Sequence, residues 1–382
     1  MIQRLWMVTI VSVVLTAPAA FAFETYEEAY KDCKQKYGER DYKASRASAM
    51  EAVQLAQTAE ERAQAKYQAG WAAYRGGDPE GALALWGEVA DDPASPTARR
   101  NAALTMKAEV ALGLGKNDVA REAARKVAES EDMKPDGKWR VVAYLARTYA
   151  NEKQVDEACK VITDFLENED LSPLSQARLL GTAANFRKDA QQHDLAIELL
   201  QQVIGMEEAP AANVTYSWIE IGNIMQAQEK TEGAIQAWNT ALAHPEIAPA
   251  HIQRAREALA GIHLANKEYA AARAEYQTIL EVEGMPETLR NNAKLKIAEI
   301  YQKEARFDDA LALCTELKTD EAASAGYKIN AHMRAGEIYL EQKLYDMAQA
   351  EFQAVLDMDT RSSAKNIAKR KLAQIENLRA DE

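Results

Sequence analysis

Five histidines and three cysteines are the side chains of this sequence best suited to metal binding or nucleophilic chemistry. Their spacing predicts neither a metal site nor a nucleophilic site. A zinc protease needs a His-Glu-x-x-His helix that brings two imidazoles to one metal, and a structural zinc site needs closely spaced cysteine pairs. Cys33, Cys159 and Cys314 are instead more than a hundred residues apart. We therefore expect no metal site and no cofactor, and we interpret the cysteines as small buried apolar residues.

Two further patterns of catalytic sites are incomplete or missing. The segment from Gly113 to Lys116 resembles part of a phosphate-binding loop, but it lacks the second Gly-Lys-Ser/Thr element. The sequence also has no Gly-x-Ser-x-Gly segment, which would expose a serine nucleophile at a sharp turn. We therefore predict that the protein is not an enzyme.

Three aromatic side chains have the chemistry of a binding surface. Tyr67, Trp71 and Tyr74 fall at positions i, i+4 and i+7, which share one face of an α-helix. Rigid, half-polar rings are frequent anchors of protein interfaces. The alternative is that these rings pack as core against the preceding segment.

A set of basic and amide side chains is a second candidate binding surface. Guanidinium groups form paired hydrogen bonds with carboxylates, so such a set favours an acidic partner. The alternative is that these residues pair with Glu and Asp of neighbouring helices. The set comprises Arg140, Arg147, Arg178, Asn185, Lys188, Asn223 and Arg254.

The composition describes an acidic chain that can fold. Of 382 residues, 47% are hydrophobic and 27% are charged, and the formal net charge is −13. Apolar content this high excludes intrinsic disorder of the whole chain. The negative field repels nucleic acid, so the expected partner is a protein or peptide.

A 38-residue repeat positions all these side chains. Eight alanines are spaced by 38 residues, and an apolar residue stands four and seven positions after each of them. The offsets 0, +4 and +7 are one face of a helix, so each alanine begins the buried stripe of an amphipathic helix. The alanines are Ala82, Ala120, Ala158, Ala196, Ala234, Ala272, Ala310 and Ala348.

A second amphipathic helix precedes each of these, as Trp218, Ile221, Gly222 and Met225 show at i, i+3, i+4 and i+7. One helical hairpin of this size cannot bury its apolar face alone, so successive hairpins must stack. The sequence therefore predicts an all-α fold, a superhelical solenoid of stacked helix-turn-helix repeats.

The residues of these hairpins resemble the tetratricopeptide repeat (TPR) family. Gly336 and Tyr339 on a first helix, followed by Ala348 and Phe352 on a second, are similar to its pattern over residues 60–357. The period of 38 departs from the family's roughly 34 residues, and another helical-repeat family is the alternative. The resemblance implies a concave wall of helices that binds peptides or proteins. The basic and amide set is loosely similar to a subfamily that clamps a C-terminal carboxylate.

The repeat also divides the chain. We predict a signal peptide at residues 1–22, a degenerate N-terminal repeat at 23–58, eight repeats at 59–360 and a C-terminal capping helix at 361–382. The signal is indicated by Arg4, the apolar run that follows, and the small-x-small ending at Ala20 and Ala22. An uncleaved membrane anchor is the alternative.

These features together predict a non-catalytic exported scaffold for protein–protein interactions, periplasmic in a bacterium with two membranes and otherwise secreted. The alternative is a self-associating structural component, or an accessory subunit, of a cell-envelope assembly or secretion complex.

The export prediction gives a defined product. Cleavage after Ala22 should leave Phe23 as the N-terminal residue of protein purified from its own host, because the small-x-small ending precedes that bond. Intact-mass spectrometry measures this directly, and a chain that retains Met1 would contradict the prediction.

Overall fold

The computed structural model describes residues 22–358 and 363–380. Apart from Ala22, the predicted signal peptide lies outside these ranges, as do parts of the predicted capping segment. Within them the chain forms nineteen α-helices and no β-strand, so the predicted all-α class is confirmed.

The helices follow one another as pairs. Odd numbers denote the first helix of a hairpin and even numbers the second, and each first helix from α3 to α17 has 17 residues. Their bounds are α1 Tyr26–Gly38, α2 Tyr42–Leu55, α3 Ala59–Arg75, α4 Pro79–Asp91, α5 Thr97–Gly113, α6 Asn117–Ala128, α7 Pro135–Asn151, α8 Val155–Asn168, α9 Pro173–Asp189, α10 His193–Gly205, α11 Ala211–Ala227, α12 Thr231–Leu242, α13 Pro249–Ala265, α14 Tyr269–Glu281, α15 Glu287–Lys303, α16 Phe307–Thr319, α17 Ala325–Glu341, α18 Tyr345–Asp357 and α19 Ser363–Ala380.

The chain divides into two compact units, residues 1–170 and residues 171–382. In the first unit α1 to α8 pack each against the next, and first helices also contact each other, as α3 does α5. The second unit repeats this arrangement from α9 to α18. Its last helix, α19, places Ala368 and Ile375 in the same buried cluster as Phe352 and Val355.

The core confirms the repeat pattern. All eight alanines of the 38-residue column are fully buried, and so is every residue four positions later. Seven positions later, the side chains are again buried except for Phe165, which is half-buried near the end of α8. The three cysteines are buried, as predicted.

The closest packing inside a hairpin joins a glycine of the first helix to a large ring of the second. A Cβ atom on Gly222 would lie 2.4 Å from Nε1 of Trp238, and one on Gly70 would lie 2.4 Å from Nε1 of Trp86. Each indole also donates a hydrogen bond to a first-helix carbonyl, Trp238 to Ile219 O at 3.2 Å. The ring therefore occupies the space that a side chain would take.

At this contact, a smaller residue on the first helix generally faces a larger residue on the second helix. Glycine stands opposite Trp86, Trp238 and Phe352, whereas the other five 38-residue repeats have alanine at the same first-helix position. In those hairpins the facing residue is smaller, as Leu200 is opposite Ala184, with Tyr276 as the exception. The two helices can thus approach similarly along the array.

The turn inside each hairpin has one backbone geometry. Its central residue is left-handed: Gly77 and Gly115 in two hairpins, and non-glycine residues with φ between 57° and 65° in the others. The next N–H donates to the carbonyl five residues earlier, as Arg306 does to Tyr301 O at 2.9 Å. This bond satisfies a carbonyl that would otherwise be unpaired at the helix end.

The glycine–indole contact predicts that Gly222→Ala changes the free energy of unfolding in opposite directions in the parent protein and in a Trp238→Leu background. Gly222→Ala alone should lower the free energy of unfolding by about 1–2 kcal/mol, because the new methyl group overlaps the buried Trp238 ring. In a Trp238→Leu background the same substitution should instead stabilise by about 1 kcal/mol, the ordinary helix preference of alanine over glycine. Chemical denaturation of the four proteins measures both values.

Gly181→Ala is the matched control, because nothing lies within 4 Å of a Cβ atom at that position of α9. It should stabilise by about 1 kcal/mol in the parent protein. A Gly222→Ala effect of the same sign in both backgrounds would contradict the packing argument.

Candidate partner-binding surface

In the second unit, the first helices present a continuous set of positions that recur every 38 residues. We call this set the first-helix face. It is formed by residues that line the gaps between successive first helices, together with Glu220 and Arg254 at the same repeat positions. They are Arg178, Thr182 and Asn185 on α9, Glu220 and Asn223 on α11, Arg254, Ala258 and Gly261 on α13, Asn292, Lys296 and Glu299 on α15, and Asn330, Arg334 and Glu337 on α17.

Three open grooves lie on this face. The groove between α9 and α11 has a volume of about 190 Å³, and the one between α15 and α17 about 260 Å³. The groove between α11 and α13 is larger, at about 420 Å³, and we call it the central groove. A volume of this size is within the range of small ligand sites.

Three of the predicted basic and amide residues meet at one carboxylate beside the central groove. Glu220 Oε2 lies 2.6 Å from Lys188 Nζ, and Glu220 Oε1 lies 2.5 Å from Arg254 Nη2. Asn223 Nδ2 donates to Glu220 Oε1 at 3.2 Å. Glu220 is only 3% exposed, so its charge is balanced by donors from α9, α11 and α13.

Glu220 also sets the protonation of its partner. Burial by itself lowers the pKa of Lys188, but the hydrogen bond and the charge of Glu220 outweigh burial, and the pKa is raised. Lys188 therefore stays cationic. Lys188 and Arg254 each pair with an acidic residue of a neighbouring helix, which was the alternative to binding an acidic partner. Asn223 instead donates to Glu220 on its own helix.

Two other predicted residues line the groove between α9 and α11. Arg178 is exposed there, and Asn185 Nδ2 donates to the Tyr216 hydroxyl at 3.1 Å. The Arg254 guanidinium carbon lies 5.4 Å from the centre of the Tyr216 ring. Tyr216 therefore links this groove to the cluster around Glu220.

Arg140 and Arg147 belong to the first unit and lie on either side of Tyr144 on α7. The Tyr144 hydroxyl donates to Glu109 Oε2 at 2.8 Å. Burial and this carboxylate raise the pKa of Tyr144 well above its usual value, although both arginines act to lower it. The two arginines are exposed.

The three predicted aromatic residues surround Trp86, a fully buried ring of the first unit. Ring centres of Tyr67, Trp71 and Tyr74 lie 6.4, 5.8 and 6.4 Å from the Trp86 ring. Tyr67 and Trp71 are half-buried against this core, while Tyr74 is 40% exposed. The rings therefore contribute to packing and also form part of the surface.

The sequence reasoning missed Glu220, Tyr216 and Gly261. Glu220 had a detectable signal, because it is the only charged residue in α11. A lone acid in an apolar helix is buried with a partner or exposed, and periodicity alone does not distinguish these cases.

The described residues contain no group of His, Cys, Asp and Glu side chains able to hold a metal ion. No helix among them combines the length and apolar character needed to cross a bilayer.

A family model described as a tetratricopeptide repeat-like domain matches residues 248–377. This segment has the same 38-residue spacing and alanine column as the hairpins that precede it. Residues 248–377 therefore match the tetratricopeptide repeat-like family. The fold of the chain is that of a scaffold for protein–protein interactions.

Solved structures to which the chain is similar share little sequence with it. A tetratricopeptide repeat protein from Parabacteroides merdae is 16% identical, with 72% of this chain and 98% of that chain covered and a TM-score of 0.40. The C-terminal part of a TPR repeat-containing protein from Cytophaga hutchinsonii is 15% identical over 70% and 99%, with a TM-score of 0.42. The human IFIT1 dimer with PPP-AAAA is 18% identical over 93% and 87%, with a TM-score of 0.44. No curated protein matches the chain in sequence.

The cluster around Glu220 predicts an asymmetry between its charges. Lys188→Met combined with Arg254→Met should cost about 3–5 kcal/mol, because a buried carboxylate loses both cations. Glu220→Gln should cost less, about 1–2 kcal/mol, because both cations are partly exposed and water can solvate them.

Chemical denaturation compares the two proteins, and far-ultraviolet circular dichroism checks that each keeps its helices. A larger loss from Glu220→Gln than from the double substitution would contradict the burial of charge at Glu220.

Proposed function

We propose that the protein is an exported, non-catalytic scaffold that binds a peptide or protein partner on the first-helix face of its second unit. The observation that carries this proposal is the row of three grooves between successive first helices. Interaction sites on stacked helical repeats use extended surfaces of this kind.

The polar chemistry of the face supports a polypeptide as the partner. Four of its five first helices carry an asparagine on this face. The amides of Asn185, Asn223 and Asn292 already bond to Tyr216, Glu220 and Glu257, and no other described residue engages that of Asn330. An amide side chain offers a donor and an acceptor, the same pair that a peptide group presents.

The charges of the face argue against nucleic acid. Arg334 lies 3.3 Å from Glu299, and Lys296 lies 3.4 Å from Glu299, so cations are balanced locally by acids. Phosphate binding needs a surplus of positive charge, and the whole chain has a net charge of −13.

The contacts of Phe23 support export with cleavage before this residue. Its backbone nitrogen donates to Glu51 Oε1 at 2.8 Å, and its ring packs against the cluster that contains Tyr26 and Ala29. Cleavage at that bond turns the nitrogen into an ammonium group, and a charge-assisted bond to the carboxylate is stronger than the neutral one.

Photocrosslinking in the native host tests the proposal. Benzoylphenylalanine is placed singly at Thr182, Ala258 and Lys296 on the first-helix face. Matched controls are the exposed second-helix positions Gln202, Thr240 and Ala312. We expect one common adduct from the three face positions and none from the controls, with mass spectrometry identifying the captured protein.

Adducts from the controls alone, or from no position, would contradict the proposed surface. An adduct with twice the mass of the chain would favour the alternative, in which the protein self-associates.

A further inference from the structure

The central groove differs from its neighbours in having no charge. Its lining consists of Asn223, Gln226, Thr231, Trp238, Ala258, Gly261, Ile262, Ala265 and Asn266. In contrast, the groove between α15 and α17 is lined by two cations and two carboxylates, Lys296, Arg334, Glu299 and Glu337. The central groove thus combines an apolar floor with amide and hydroxyl groups at its sides.

Gly261 opens this groove. It lies inside α13, where glycine is less stable than alanine by about 1 kcal/mol. Unlike Gly222, it accommodates no neighbouring ring, because nothing lies within 4 Å of a Cβ atom built there. Each of the other seven 38-residue repeats has a larger residue at the same position: Trp71, Glu109, Arg147, Asn185, Asn223, Glu299 and Glu337. The small residues Ala258 and Ala265 extend the same gap along α13.

The remaining walls of the groove are fixed by internal hydrogen bonds. Trp238 Nε1 is 3.2 Å from both Ile219 O and Asn223 Oδ1, which holds the indole and the amide in place. Gln226 and Asn266 are exposed, and no other described residue engages their side-chain amides. These two amides remain able to bind the backbone of a ligand.

The neighbouring charges disfavour an ionic ligand. Lys188 and Arg254, the cations closest to Glu220, are already paired with it. A carboxylate or ammonium group entering the groove finds no counter-charge among the residues that line it, and loss of its water there is unfavourable.

We propose that the central groove binds an uncharged, extended segment of the partner polypeptide. One apolar side chain of that segment enters beside Gly261 and packs on Trp238, Ala258 and Ile262. Its backbone exchanges hydrogen bonds with Gln226 and Asn266. This inference rests on the proposed function, and it assigns to the groove a ligand chemistry opposite to that of a carboxylate clamp.

Methyl NMR of the full chain tests the ligand class. The probe is an acetylated and amidated nonapeptide of Ser, Gly and Ala with a central Leu. Two matched peptides have a central Glu or a central Lys. We expect the Leu peptide to shift the methyl signals of Ala258, Ile262 and Ala265 in a saturable way, and to bind roughly tenfold or more tightly than the other two.

Two glycine substitutions locate the site. Gly261→Gln fills the central groove and should weaken binding of the Leu peptide by roughly tenfold or more. Gly181→Gln is the matched control, since Gly181 lies equally open in the groove between α9 and α11, and it should leave that affinity unchanged.

Preferred binding of the Glu or Lys peptide would overturn the inference, as would absence of shifts with all three. Equal binding by Gly261→Gln and the parent would also overturn it. Crosslinks from Thr182 and Lys296 to a captured partner would persist in each of these cases, so the proposed function would still stand. Loss of those crosslinks is the separate result that would reject the proposed function.

Discussion

The distance between the two helices of a hairpin is the constraint on which this structure depends. A residue of the second helix, four positions after the buried alanine, projects onto a glycine or alanine of the first helix. Where the projecting residue is Trp86 or Trp238, only the absence of a Cβ atom lets the helices approach. Because interiors are close-packed, each hairpin must satisfy this condition before the next can stack on it.

One group of side chains, Glu220 and its donors, both holds successive hairpins together and sets the charge of the first-helix face. Glu220 contacts donors from α9 and α13 as well as from its own helix. It joins three successive first helices and also removes two cations from the surface available to a partner. A feature of helix packing thereby neutralises two cations beside the central groove.

The sequence predicted the fold well, because the signals that define it are local and periodic. The alanine column and the apolar residues that follow it specify which side of each second helix is buried, and all eight alanines are buried. The binding surface was less predictable, since its chemistry depends on pairs that lie more than thirty residues apart, such as Lys188 and Glu220. For Gly261, the sequence shows only that glycine replaces a larger residue at this repeat position, whereas the open space beside it is visible in the structure alone. Whether the aromatic residues around Trp86 bind a partner stays a prediction.

The left-handed turn has a consequence for how the array can diversify. The same backbone hydrogen bond closes this turn in every hairpin, so the residue at its centre needs no particular side chain and bears a conformational cost of about 1 kcal/mol when it is not glycine. Glu229, Lys267 and Ala305 follow one another at this position, with negative, positive and no charge. The edge of the array formed by the turns can therefore change its charge unit by unit through single substitutions while every hairpin keeps its length and register. Solubility and the choice of neighbours in a crowded compartment can evolve along this edge independently of both the core and the grooves.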